Sequence, residues 1–253
     1  MKRYPILEFD PAHKAVLEPS EHIEKMDIPD CCVVCFFQDV ITRLLEAGRI
    51  TLVDESHSEM AIHPIYRLND RPVTLFHPGV GAPLAVGLLE EAIARGCTKF
   101  IVCGGCGVLD KEIAVGHLIV PTSAVRDEGT SYHYLAPDRE AEPHPAALAA
   151  IRQALDAHAI PYLTGKTWTT DAFYRETPGK VSARKAEGCL TVEMEAASLF
   201  AAASFRDVVL GQILYGGDVV IPDEWDGRAW NHRNDTREDL FWLAVEAVQK
   251  IAD

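Results

Sequence analysis

Residues 72–105 read PVTLFHPGVGAPLAVGLLEEAIARGCTKFIVCGG and hold three elements in order. A short apolar, β-branched run (72–77) has the length of a strand. The apolar spacing over 82–95 is helical, and a second short apolar run (99–104) closes on Gly104 and Gly105. Runs this short, bounded by turn residues and rich in Val, Ile and Phe, suit strands covered on both faces. Between strand and helix lies HPGVGAP (77–83), where Gly79 and Gly81 let the backbone approach a ligand closely. Neither glycine cluster has the Gly-x-Gly-x-x-Gly spacing of a dinucleotide site.

The same alternation extends in both directions. Strands are expected over 31–37 (CCVVCFF), 49–54, 116–121, 160–168 and 207–217, with helices over 39–47, 146–158, 194–205 and 236–251. The last helix has a capping-box-like start at Thr236 and Asp239, and Leu240, Ala244, Val248 and Ile251 share one face. No compositional break or internal repeat divides the chain. The expectation is one α/β domain over residues 1–253, with a central mixed, largely parallel sheet flanked by helices. Ligands of such sheets bind beyond the carboxyl ends of the strands.

The 253 residues include 24 basic and 38 acidic side chains, a net charge of −14. That surface repels nucleic acid and anionic lipid and favours a small-molecule partner. The first residues, MKRYPILEFDPAHK, lack the apolar core of a signal peptide, and the run at 31–37 is too short to cross a bilayer. A cytoplasmic site of action is expected. Seven cysteines include two Cys-x-x-Cys pairs, Cys32/Cys35 and Cys103/Cys106. Both fall in strand-like runs, which fits packed thiols better than a zinc site, so no metal is expected.

Two places carry acids at strand ends. TVEMEAASLF (191–200) sets Glu193 and Glu195 around Met194, where a strand gives way to a helix. Each carboxylate could accept hydrogen bonds from neighbouring sugar hydroxyls, or could merely complement the positive end of the helix. In LYGGDVV (214–220), Asp218 follows two glycines and could be a turn residue or a general acid.

Taken together, HPGVGAP, IVCGGCGVLDKEIAVGHLIVP (101–121), SAVRDEGTSYHY (123–134), TTDAFY (169–174) and VEMEAA (192–197) resemble the nucleoside phosphorylase family. That family contains uridine phosphorylase, hexameric purine nucleoside phosphorylase and methylthioadenosine nucleosidase. The resemblance implies that Glu195 binds the ribose hydroxyls, with Met194 against the sugar and Glu193 beside it. It implies that Phe173 and Tyr174 stack on the base, and that Asp218 protonates or hydrogen-bonds the purine N7. Uridine phosphorylases carry a glutamine and an arginine after the aromatic loop. Here that stretch is RETPGK (175–180), which leans towards a purine.

The resemblance breaks at the phosphate site. Family phosphorylases use arginines and a hydroxyl residue there, whereas Val102 and Gly105 occupy two of those positions. The implied phosphate or water site therefore comprises Gly104, Gly105, Asp39 and Arg43, with Asp39 near the acid that activates water in the family's hydrolases. Arg228 and Arg233 are further candidates to reach it. The expected activity is cleavage of a purine nucleoside's N-glycosidic bond to free base and pentose 1-phosphate, inorganic phosphate being co-substrate and no cofactor being needed. The alternatives are a phosphate-independent nucleosidase and an inactive nucleoside-binding protein. The resemblance also implies a homodimer or a trimer of dimers.

Overall fold

The computed structural model describes residues 2–59 and 61–252. Its strands are β1 (Cys31–Cys35), β2 (Ile50–His57), β3 (Ile62–Leu68), β4 (Thr74–Phe76), β5 (Lys99–Val108), β6 (Leu118–Asp127), β7 (Glu140–Ala141), β8 (Tyr162–Thr170), β9 (Cys189–Glu193), β10 (Val209–Ile221) and β11 (Glu224–Asp226). The helices are α1 (Pro19–His22), α2 (Gln38–Glu46), α3 (Ala82–Arg95), α4 (Pro145–Ala157), α5 (Pro178–Ala186), α6 (Ala196–Phe205) and α7 (Asn234–Gln249).

One mixed sheet runs β11-β10-β6-β8-β9-β5-β1-β4-β3-β2. Its centre, β4-β1-β5-β10, is parallel. Antiparallel pairings join β10 to β6 and β5 to β9, so that β5, β10, β6, β8 and β9 form a closed circuit. The expected single α/β domain is present, with the parallel character concentrated at its centre.

Alternation along β1 shows why the central strands read as continuous apolar runs. Cys32 and Val34 pack with α3 and α6, while Val33 and Cys35 pack with α2, α4 and α7. All four are completely buried. Burying a Val or Leu side chain contributes roughly 1.5–3 kcal/mol, so a strand covered on both sides gains from every residue. The paired thiols are part of this core: Cys32, Cys35, Cys103 and Cys106 are all buried. At Gly211 the sheet meets α4 so closely that a Cβ would lie 2.8 Å from that of Ala147.

Three boundaries differ from the sequence expectation. The final helix starts at Asn234, with Arg233 at the cap position and no side-chain cap bond, so Thr236 and Asp239 lie inside it. Strand β1 stops at Cys35, which releases Phe36 and Phe37. Strand β10 does not turn at Gly216–Gly217 but continues to Ile221, its register against β5 shifting between Gly216 and Val219. Such an irregularity re-aims side chains, and it contains Asp218.

Candidate active site

A cavity of about 870 Å³ lies where β1, β5, β9 and β10 run out, against the turn that follows β8. The end of β9 and the start of α6 explain the two neighbouring glutamates. Glu193 accepts hydrogen bonds from the Thr169 hydroxyl (2.6 Å) and from the amides of Glu195 (2.8 Å) and Ala196 (2.6 Å), with the Thr167 hydroxyl at 3.4 Å. Thr169 in turn accepts the Ala197 amide (2.9 Å). Glu193 thus serves the otherwise unpaired first amides of α6; burial pushes its pKa up, and these hydrogen bonds offset part of that.

Glu195 engages one close donor, the Gly81 amide at 2.6 Å. Gly81 has φ +94°, a conformation open chiefly to glycine, and this points its N–H across the loop. The carboxyl group of Glu195 is only 6% exposed. Burial, and next the charge of Glu193, push its pKa up to about 8. The glycine loop is braced from behind: His77 Nδ1 accepts the Gly79 amide (3.0 Å), and the His77 ring meets Phe36 edge-on. Burial lowers the His77 pKa, which suits this acceptor role.

Met194 lies on the wall beside Glu195. Phe173 and Tyr174 stand at the rim, 51% and 89% exposed, with ring centroids 4.2 Å apart. Asp218 faces the same cavity from β10 and accepts the Trp225 indole N–H (2.8 Å). Beside it is Glu176, whose pKa is pushed up to about 7 by burial and then by Asp218. The structure therefore brings Glu195, Met194, Phe173, Tyr174 and Asp218 to one cavity, with Gly104 and Gly105 on its wall.

Asp39 and Arg43 are a correction. They were expected at the phosphate or water site, but neither lines the cavity. Asp39 is gripped by Arg43 Nη1 (3.1 Å) and Arg237 Nη1 (3.0 Å), and Arg43 also reaches Glu238 (3.3 Å). Both of its carboxylate oxygens are thus engaged away from the cavity, Oδ2 by Arg43 and Oδ1 by Arg237. Arg228 and Arg233 do not reach the cavity either. Arg228 donates to the carbonyls of Gly217 and Ile113, and Arg233 to that of Arg228.

The wall holds a different arginine, Arg237 on α7. Sequence reasoning passed over it, although a signal existed. Arg237 shares a helix face with the buried Leu240, Phe241, Ala244 and Val248, and a cation on an apolar face needs a partner. Glu176 and Trp225 were also missed. Among the described residues, no cluster of His, Cys, Asp and Glu could hold a metal, and no helix is long and apolar enough to cross a membrane.

The family model described as Phosphorylase superfamily matches residues 31–252. A guanosine phosphorylase of Halorubrum lacusprofundi is 33% identical over 197 residues, which cover 78% of this chain and 81% of that protein. A uridine phosphorylase of Treponema pallidum is 31% identical over 196 residues, 72% of this chain and 74% of that protein. Among solved structures, uridine phosphorylase from Vibrio fischeri shares the fold with a TM-score of 0.73 at 24% identity, over 92% and 96% of the two chains. AMP nucleosidase from Bacteroides thetaiotaomicron gives 0.71 at 23% identity, over 88% of each.

Proposed function

Because the chain belongs to the phosphorylase superfamily, we propose that its cavity cleaves the N-glycosidic bond of a purine nucleoside by phosphorolysis, releasing the base and a pentose 1-phosphate. The observation that carries this reading is the presence of Glu195 and Asp218 on one cavity. One offers an acceptor for a sugar diol, and the other an acid for a departing base.

The chemistry follows from what must change in the transition state. As the bond from C1′ to the base nitrogen breaks, its electron pair moves to the base and positive charge develops on the sugar. A proton delivered to the purine N7 by Asp218 makes the base a better leaving group. Glu176, with its pKa at about 7, holds a proton beside Asp218 over much of the neutral range. The ionised form of Glu195 accepts the ribose hydroxyls and stabilises the positive sugar. Met194 lies against the sugar, and Phe173 and Tyr174 cover the base. Glu193 acts one step back: it holds the first turn of α6 and so places Glu195.

Phosphate, rather than water, is favoured as the nucleophile on two grounds. The acid best placed in sequence to activate water, Asp39, is committed to two arginines. Two relatives at more than 30% identity bear phosphorylase names. The test is base release from guanosine, inosine, adenosine and uridine, each with and without inorganic phosphate. Phosphate-dependent release from purine nucleosides is expected. Release without phosphate identifies a nucleosidase, and nucleoside binding with no release under any condition identifies a binding protein.

A further inference from the structure

Among the described residues, Arg237 is the one Lys or Arg on a wall that also carries Glu176, Glu193, Glu195, Asp218, Asp223 and Glu224. An anionic co-substrate approaching a chain of net charge −14 needs a local cation, and the strand-end positions offer only Val102 and Gly105. We propose that Arg237, delivered from the C-terminal helix, is the phosphate ligand of this cavity, with the Gly105 corner as the seat of the anion. The inference rests on the phosphorolysis reading and adds to it which element supplies the charge.

The guanidinium is built in rather than draped over the surface. Its side chain is 13% exposed, its Nη1 is tied to Asp39 (3.0 Å) and its Nε donates to the Tyr215 hydroxyl (3.3 Å). Tyr215 is itself fixed, donating to the Trp230 carbonyl (2.9 Å). The guanidinium carbon stands 5.5 Å from the centre of the Phe37 ring and 5.6 Å from that of Trp230. These contacts occupy Nη1 and Nε, and among the described residues no hydrogen bond from Nη2 is seen. A planar donor held in this way is preorganised for a phosphate oxygen.

Gly105 belongs to the same corner. A Cβ there would lie 3.1 Å from the Tyr215 ring and 3.3 Å from its hydroxyl, the group that Arg237 touches. The missing side chain therefore lets the Tyr215 ring, which carries the hydroxyl that Arg237 touches, pack directly on the β5 backbone at the cavity wall. Asp39 acts as a positioning residue: Arg43 clamps it from α2, and Glu238, next to Arg237 on α7, holds Arg43 in turn. In the proposed step a phosphate oxygen donates an electron pair to form a bond to C1′, the C1′–N bond breaks, and the base leaves with the pair of that broken bond and takes the proton from Asp218. Phosphate keeps its P–O bonds, and its remaining negative charge stays on its own oxygens, paired with Arg237.

The test measures phosphate and nucleoside separately. Arg237→Met should raise KM for phosphate by about 10- to 100-fold, the range of a lost charge-assisted hydrogen bond. Nucleoside affinity, measured by calorimetry without phosphate, should stay within about threefold, since no base or sugar contact is removed. The thermal stabilisation that inorganic phosphate gives the nucleoside-free protein should disappear. Arg237→Lys, which keeps the charge but not the fork, should fall between, and it decides the matter if the Met variant does not fold. Unchanged phosphate affinity in Arg237→Lys and in any folded Met variant overturns the assignment while leaving phosphorolysis intact. Phosphate-independent release by the unaltered protein would instead remove the reading beneath it.

Discussion

Replacing Glu195 by Gln should make the unliganded protein more stable at alkaline pH while damaging its activity. The carboxyl group is buried beside Glu193 and has its pKa lifted from 4.5 to about 8. In the unfolded chain it ionises near 4.5, so between these values the folded state holds a proton that the unfolded state lacks. Stability from this group is therefore fully present below about pH 4.5, falls as pH rises towards 8, and is level above it. Each tenfold displacement of the proton equilibrium is worth about 1.4 kcal/mol. At pH 9 the wild-type carboxylate then costs roughly 3–5 kcal/mol relative to a neutral side chain. Gln can still accept the Gly81 amide. With roughly 2–4 °C in Tm per kcal/mol for a domain of this size, the variant should melt about 6–20 °C higher at pH 9. The gap should close near pH 5. The assay is thermal melting from pH 5 to 9 without ligand, together with kcat/KM for a purine nucleoside. That ratio should drop by roughly 10- to 100-fold as the charged acceptor for the diol is lost. A gap that does not change with pH, or a variant less stable than wild type at pH 9, would refute the buried-charge argument.

Further substitutions probe the other walls. Asp218→Ala should cut purine nucleoside turnover by roughly 10²-fold or more, as steady-state kinetics would show, and unchanged turnover removes Asp218 from the mechanism. Glu176→Gln should flatten the pH–rate profile on its alkaline side. With the Glu176 pKa at about 7, wild-type activity declines as that proton is lost with rising pH, whereas Gln has none to lose. An identical alkaline limb in both proteins would exclude Glu176 as the proton reserve. Asp39→Asn should raise KM for phosphate about 3- to 10-fold by loosening Arg237, with nucleoside binding unaffected. If it instead abolished base release in phosphate-free buffer, Asp39 would be restored as a base for water.

Much of the fold was legible because the central strands are covered on both sides. Continuous apolar runs such as CCVVC and KFIVC, separated by the helical spacing of 82–95, point to a parallel sheet. The hairpin of β2 and β3 was only half visible, since β3, IHPIYRL, mixes polar and apolar residues at a partly exposed edge. Strand β9 is five residues long and gains its partners from β5 and β8, so the sequence showed only its end, where it gives way to α6. At the site, Glu195 and Asp218 could be found by motif, Glu195 where a strand gives way to a helix and Asp218 directly after two glycines. Separating Glu193 from Glu195 required coordinates: the two share one motif, and only their donors differ. Arg237 was hidden for a different reason. Its partner Asp39 lies on the other side of the chain's sequence, and an ion pair of that span leaves no periodic trace.

The most direct measurement is a product balance under limiting phosphate, with guanosine in excess and pentose 1-phosphate quantified by phosphorus NMR. Pentose 1-phosphate should appear mole for mole with guanine, and both should stop accumulating once the inorganic phosphate approaches equilibrium. Guanine that continues to form beyond the phosphate supplied, accompanied by free ribose, would contradict the account.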